Sequence, residues 1–254
     1  MLSDSLNLHD RVAIITGASR GIGRATAKRL VEAGANVVIN YVRDEEGALQ
    51  LLKEVEAAGG RALPVQGDVR NLSDAERIVN RAIEEFGGVD ILICNAGVWE
   101  GAPIERMGED VWARTMDINL KGTWTMCRAV LPFFKECGRI VVVSSTAGQR
   151  GEANYSNYAA AKGGQISFVK SLAVELAPRS VNVNAIAPGW VDTEMTALEL
   201  ADPARRAKIE KAIPLGRVAT ADDVALPILF LCSDWARHIT GEVLSVNGGS
   251  VLCG

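Results

Sequence analysis

The 254-residue sequence predicts an α/β protein: one domain, 1–254, on a doubly wound parallel sheet of about seven strands with helices on both faces. Three observations carry that expectation. Short β-branched runs alternate with longer segments of helical period, the pattern of successive strand–helix–strand units. The strand runs are apolar throughout instead of alternating, as a sheet covered on both faces requires. A glycine-rich turn joins the first strand to the first helix.

The elements follow in order. RVAIIT (11–16) is a strand, and GRATAKRLVEAG (23–34) is an amphipathic helix that Gly34 ends. NVVINY (36–41) is the second strand, with EEGALQLLKEVEAAGG as the helix after it. ALPVQGDV, VDILICNAG, GRIVVVSS and SVNVNAIAPG, near 62, 89, 138 and 180, are further strands, and EVLSVNGG is the last. Segment 190–214 breaks the rhythm. It follows a strand end and contains helix-like pieces, so it reads as a substrate lid or as an ordinary surface insertion.

Composition excludes several classes. Hydrophobic residues at 48% and charged residues at 23% are the balance of a soluble globular chain. A net charge of −4 argues against a general nucleic-acid binder. The five cysteines (Cys94, Cys127, Cys137, Cys232, Cys253) form no C-x-x-C pair, which argues against a disulfide framework or a zinc site. His9 and His238 have no partner at ligand spacing, so no metal is expected. The start, MLSDSLNLHD, is polar and acidic, unlike a signal peptide, and no apolar run reaches the roughly 20 residues that span a bilayer. The expectation is a cytoplasmic protein without membrane contact.

The turn after the first strand reads Thr16-Gly17-Ala18-Ser19-Arg20-Gly21-Ile22-Gly23 and opens a helix. Glycines allow the backbone to approach a pyrophosphate, and a helix N-terminus offers it unpaired N–H groups and partial positive charge. The strand before and the helix after supply the context a nucleotide site demands. The form T-G-x-x-x-G-x-G resembles the short-chain dehydrogenase/reductase family, of Rossmann-type fold, and the resemblance runs along nearly the whole chain. Asp68-Val69 is similar to that family's adenine contact. Asn95-Ala96-Gly97 is similar to its N-A-G turn, although Cys94 stands where the family usually has another Asn. Asn119 in MDINLKG, Ser145 in VVVSS, and Tyr158 with Lys162 in YAAAK match the family's catalytic positions. Pro188-Gly189, Val191 and Thr193 match its nicotinamide side, and ITGEVLSVNGG its last strand. The cofactor contacts this implies are Gly17, Ser19, Arg20, Gly21, Ile22 and Gly23, then Tyr41 and Arg43, Asp68 and Val69, Asn95, Ala96 and Gly97, Tyr158 and Lys162, and Pro188, Gly189, Val191 and Thr193.

The second strand ends Asn40-Tyr41-Val42-Arg43 and lacks the acid that binds a ribose 2′-hydroxyl in NAD enzymes. Asp44 is close, but it stands where the next helix needs an N-cap. Arg20 and Arg43 suit a 2′-phosphate through charge-assisted hydrogen bonds, so NADP(H) is predicted over NAD(H).

Tyr158 and Lys162 are four apart on a helical segment and so share a face. A nearby ammonium favours the phenolate, which would make Tyr158 a usable acid or base nearer neutral pH. Ser145 ends a strand, where open α/β sheets place their sites, and the resemblance implies that its hydroxyl holds the substrate oxygen. Ser144 should point to the other side of the strand. The resemblance gives Asn119 a water-holding role in a proton relay to the lysine. The residue type alone would read as a buried polar group bonding helix backbone.

The motifs TGASRGIGRA and NYAAAK and the P-G turn look most like 3-oxoacyl-(acyl-carrier-protein) reductases of fatty acid biosynthesis. A carbonyl or acyl thioester is then the substrate, with acyl-carrier protein as its carrier. Arg128, Lys135, Arg139 and Arg179 would be the basic patch for that acidic partner, or merely a solvated face. The same motifs fit sugar, polyol, steroid and small-ketone dehydrogenases, and a nucleotide-sensing scaffold without chemistry is the reading from another class. Trp99, Gln149, Tyr155 and Trp190 are placed at the pocket edge. The resemblance implies a homotetramer built through long helices near 110–136 and 156–178 and through the C-terminal strand.

Overall fold

The computed structural model describes residues 6–252, so Cys253 and the first part of the polar start lie outside it. Seven parallel strands form one sheet in the order β3-β2-β1-β4-β5-β6-β7, the doubly wound α/β architecture the sequence predicts. The chain runs β1 (Val12–Ile15), α1 (Gly21–Glu32), β2 (Asn36–Tyr41), α2 (Glu45–Ala57), β3 (Ala62–Gln66), α3 (Leu72–Phe86) and β4 (Val89–Cys94). It continues with α4 (Glu109–Met116), α5 (Gly122–Val130), β5 (Phe134–Val143), α6 (Thr146–Arg150), α7 (Ser156–Leu176) and β6 (Asn182–Pro188). Then come α8 (Ala197–Leu200), α9 (Pro203–Ala212), α10 (Ala221–Cys232) and β7 (Val243–Val246).

Successive residues of a strand face opposite sides, and here both sides are dry. Val12 and Ile14 of β1 pack with α3, α5 and α7 through Ile78, Val79, Met126, Val169 and Leu172. Ala13 and Ile15 pack with α1, α2 and α10 through Leu30, Leu51, Val55, Val224 and Ile228. Helix α3 shows why its sequence folds so: Ala75, Ile78, Val79 and Ala82 recur at helical spacing and are its buried residues, and Gly87 ends it at φ +81°.

Two long elements differ from the sequence expectation. The helix expected over 110–136 is α4 and α5 joined by a π-helical turn at Asp117–Lys121. It ends early because Pro132 sits in a 3₁₀ turn and Phe134 already pairs with Val89. β5 correspondingly starts four residues before the apolar run near 138, across a register shift opposite Val89 and Ile91.

The chain builds outward from β1 to β3, returns to β4 beside β1, and then builds outward to β7. Ligands of open α/β sheets bind at such a reversal, outside the carboxyl ends of the strands. Because Ile14 is fully buried at its centre, Ile14→Ala is expected to cost about 2–5 kcal/mol, read as a lower urea midpoint with unchanged slope.

Candidate active site

A cavity of about 640 Å³ opens along that carboxyl edge. It runs from Tyr41, Arg43 and Asp68 after β2 and β3, past the glycine loop, to Ser145, Tyr158 and Gly189 after β5 and β6. Every residue expected to contact a cofactor lines it except Gly23. Gly23 lies under the loop instead. A Cβ there would stand 2.5 Å from Asn95 Nδ2 and 2.6 Å from the Gly17 carbonyl oxygen, so the residue permits close packing of loop and turn.

The glycine loop is held by side chains around it. The Thr16 hydroxyl donates to the Ile93 carbonyl (3.3 Å) and accepts from the backbone N–H groups of Asn95 (2.9 Å) and Ala96 (3.0 Å). Asn95 Nδ2 donates back to the carbonyls of Thr16 (2.9 Å) and Gly17 (3.1 Å). Buried Asn40, which the sequence reading passed over, accepts from Gly17 N–H (3.4 Å) and donates to the carbonyls of Val65 and Gly67. Helix α1 begins at Gly21 with no side chain capping it and no acid in its first turn, leaving its N–H groups to a ligand. Such an end suits a pyrophosphate, so the residues present fit a dinucleotide.

At the far end of β2, Asp44 caps α2 by accepting from Gly47 N–H (3.1 Å), as its position predicts. Arg20 and Arg43 are exposed and line the cavity. Asp68 is held by Arg70 through a short ion pair (2.6 Å), and Arg70 and Arg43 keep its carboxyl below the usual range against the opposing effect of burial.

Asn119, Ser145, Tyr158 and Lys162 come together in one wall of the cavity. Ser145 follows β5 and caps α6, accepting from Ala147 N–H (3.1 Å). Ser144 points away, and its hydroxyl donates to the Lys162 carbonyl (2.8 Å), locking β5 to α7. Lys162 Nζ donates to the Val143 carbonyl (2.7 Å) and lies 5.6 Å from the Tyr158 ring centre. Asn119 sits in the π-helical turn. Its side chain accepts from Val98 N–H (3.2 Å) and donates to the carbonyls of Val98 (3.1 Å) and Thr115 (2.9 Å). Its own carbonyl accepts from Gln165 Nε2 (2.7 Å) and the Thr123 hydroxyl (2.9 Å). A Cβ at Gly97 would lie 2.6 Å from Asn119 Oδ1 and 3.6 Å from Lys162 Nζ, so the N-A-G turn must be this bare to admit both.

Electrostatics here differ from the simple expectation of an ammonium lowering the tyrosine. Burial pushes Tyr158 up to about 12, with the Glu152 carboxylate adding to the rise and the Ser145 hydroxyl acting against it. Burial pushes Lys162 down to about 7, against the opposite pull of Cys94. Desolvation is the largest cause for both groups, because burial penalises the charged form of each.

The wall around these groups is aromatic. Trp99 and Trp190 line the cavity, meeting edge to face at 5.5 Å and 88°. Tyr155 stands behind Trp99, stacked at 4.7 Å and 12°. Gln149 is instead spent on the Ser245 hydroxyl (3.0 Å). Sequence reasoning missed Glu152 and Arg114, both of which line the wall. An acid lying between Ser145 and Tyr158 was the available signal for Glu152.

The proposed basic patch is not at this site. Lys135 and Arg139 lie at the start of β5, the edge opposite the cavity, where they pair with Asp90 (3.2 Å) and Asp234 (3.3 Å). Arg179 donates to the carbonyls of Leu131 and Phe134, and Arg128 lies over Trp124. These cations tie helix ends to the sheet's far edge.

Fold and site together define an α/β oxidoreductase with its crevice at the sheet's switch point. Residues 17–250 match the family described as enoyl-(acyl carrier protein) reductase. The chain is 40% identical to the 3beta-hydroxysteroid dehydrogenase 1 of Eggerthella lenta, over 97% of this chain and 95% of that one. It is 40% identical to a 3-oxoacyl-[acyl-carrier-protein] reductase of Synechocystis, over 95% and 97%. It is 39% identical to the L-rhamnose 1-dehydrogenase (NAD(P)(+)) of Azotobacter vinelandii, over 95% and 97%. A Burkholderia cenocepacia short chain dehydrogenase crystallised with NADP superposes at TM-score 0.91, with 35% identity over 96% and 99%. The chain belongs to the short-chain dehydrogenase/reductase family.

Lys162 gives a stability prediction. Its pKa is about 7 when folded and 10.5 when free, so between those values the unfolded chain holds a proton that the folded one lacks. Stability therefore falls as pH falls through that window and levels off below about 7. Lys162→Met removes this dependence. Its urea midpoint relative to the unsubstituted chain is expected to climb as pH drops from about 10 to about 7, then stay constant.

Proposed function

We propose that the protein interconverts a carbonyl and a secondary alcohol with NADP(H). The observation that carries this is the meeting of Ser145, Tyr158 and Lys162 at one end of a cavity whose other end holds Arg20, Arg43 and Asp68. The nicotinamide, when bound, supplies or accepts the hydride. Its phosphates are held by the loop from Gly17 to Ile22, its 2′-phosphate by Arg20 and Arg43, its adenine by Asp68 and Val69, and its nicotinamide end by Pro188, Gly189, Val191 and Thr193. NADP in the Burkholderia relative supports the choice of cofactor.

The Ser145 hydroxyl holds the substrate oxygen. Tyr158 gives that oxygen its proton in reduction and takes it in oxidation. A phenol that resists ionisation is in the right state to donate, and the Lys162 ammonium, when protonated, steadies the phenolate left behind. Asn119, fixed by its bonds to Val98 and Thr115, holds a water in a proton relay to Lys162. Segment 190–214 acts as a lid: its Leu200 and Ile213 form a small core with Val218, against which Trp190 packs, and the Arg206–Asp192 pair (2.9 Å) ties α9 back to the strand end.

For the substrate, the two 40% relatives point in different directions, a steroid and a 3-oxoacyl thioester. A 3-oxoacyl thioester remains the first compound to assay, with fatty acid biosynthesis as its setting. Acyl-carrier protein loses support as a partner, because the cations expected to hold it lie at the opposite edge. Exposed Trp112 and Trp124 on α4 and α5 and Val174 on α7 offer apolar surface for contact between copies, and the homotetramer itself is carried over from the family resemblance. The free cysteines among the described residues support a cytoplasmic setting.

Two outcomes test the proposal. With acetoacetyl thioester and a panel of ketones, followed by NADPH absorbance, Tyr158→Phe is expected to lower kcat about 10²- to 10⁴-fold while NADPH still binds. A near-normal kcat would remove Tyr158 from the chemistry. Arg43→Ala is expected to raise the Kd for NADPH about tenfold with little change for NADH, since a charge-assisted hydrogen bond is worth about 1.5–3 kcal/mol.

A further inference from the structure

Glu152 stands in the segment between Ser145 and Tyr158, just after Gly151 turns the chain at φ +80°. It is half-buried, it lines the cavity beside Trp99, Arg150 and Tyr158, and it makes no ion pair among the described residues. Burial holds its carboxyl up, and the Trp99 indole and Arg150 compensate only in part. Its carboxylate acts on the Tyr158 phenol through charge, and both residues line the same cavity. None of the four residues assigned to the chemistry needs it. A carboxylate hydrogen-bonded to the indole alone keeps acceptor sites to spare, which a ligand donor can fill.

Trp99 supplies the other half of the subsite. Tyr155 stacked behind it and Trp190 at its edge fix the indole plane. Gly101 makes room for that stack, since a Cβ there would lie closer than any normal contact to the Tyr155 ring. A rigid indole beside a carboxylate suits a ring whose apolar face lies on Trp99 and whose hydroxyl edge donates to Glu152. The local charge selects among donors. Arg150 and Arg114, the latter paired with Glu100 (3.1 Å), share the wall, so the field there is not strongly negative. That favours a neutral hydroxyl over an ammonium, and Glu152 itself repels an anion.

We infer that Glu152 and Trp99 form a specificity subsite for a neutral, hydroxylated ring, in which Glu152 accepts a hydrogen bond from a hydroxyl on the carbon next to the one that reacts. This rests on the proposal that the cavity is a carbonyl and alcohol site, but not on the thioester reading. The test is oxidation by NADP⁺ of matched ring alcohols: trans-1,2-cyclohexanediol, cyclohexanol and trans-2-aminocyclohexanol. The diol is expected to exceed cyclohexanol at least about tenfold in kcat/KM, as one hydrogen bond to a charged group allows. Glu152→Gln and Glu152→Ala should each collapse that ratio toward one, mainly through KM, with thermal melting confirming that both variants fold. A ratio near one in the unsubstituted chain, an unchanged ratio in both variants, or preference for the amino alcohol would overturn the inference. Turnover of neither ring alcohol would also overturn it. If acetoacetyl thioester is still reduced in that case, the proposed function stands without this subsite. If no carbonyl or alcohol reacts at all, the proposed function falls too.

Discussion

The clasp between Thr16 and Asn95 is the interaction on which the rest of the site depends. It joins the ends of β1 and β4, the two strands between which the sheet reverses its order. Two parallel strands whose following segments diverge would leave carbonyls and N–H groups unpaired at that seam, and buried backbone groups must find partners. Thr16 and Asn95 provide them from side chains. The glycine loop and the N-A-G turn can then part from one another without either losing its hydrogen bonds. The cavity is the space left between them. Gly23 and Gly97 are the bare surfaces that let the surrounding groups close on that seam.

The chemistry at the other end follows from burial. Lys162 spends an ammonium hydrogen bond on the Val143 carbonyl, and Ser144 takes the Lys162 carbonyl, so β5 and α7 are joined at two atoms. The same packing shuts Tyr158 and Lys162 from water and drives their pKa values in opposite directions. Burial thus leaves a tyrosine that holds its proton and a lysine brought down toward neutrality in the wall of one cavity. Burying the lysine costs stability.

Much of this was legible in the sequence. Uniformly apolar strands gave the covered sheet, and the form of the glycine turn placed the crevice at the end of β1. The N-cap position of Asp44 and the opposite directions of Ser144 and Ser145 followed from local geometry, while the choice of Ser145 for the site came from the family resemblance. What failed were features set by distant partners. Pro132 and the Phe134–Val89 pairing shortened a helix whose own pattern ran on. Gly23 matched a ligand-contact motif, yet its neighbour is Asn95 Nδ2. The basic residues Lys135 and Arg139 are near Ser145 in sequence but lie toward the other end of β5, because a strand carries its two ends to opposite edges of the sheet, and Arg179 is carried to that edge by α7. Asn40 and Gln165 were invisible for the same reason: a buried amide earns its place from carbonyls that sequence does not bring near it.

The relatives sharpen where specificity must reside. Proteins named for a steroid, an acyl thioester and a sugar are about equally similar to this chain across nearly its whole length. A fold shared so evenly cannot be what separates their substrates. Nor can the Ser145, Tyr158 and Lys162 set, whose proposed task is common to any carbonyl. The residues free to differ are those that line the cavity and hold nothing else in place. Ser144 is excluded by its bond to Lys162, and Asn119 by its bonds to Val98 and Thr115. Gln149 is excluded by Ser245. Among the residues that line the cavity with Tyr158, Glu152 makes no ion pair among the described residues and leans only on the Trp99 indole, which two other aromatic rings hold still.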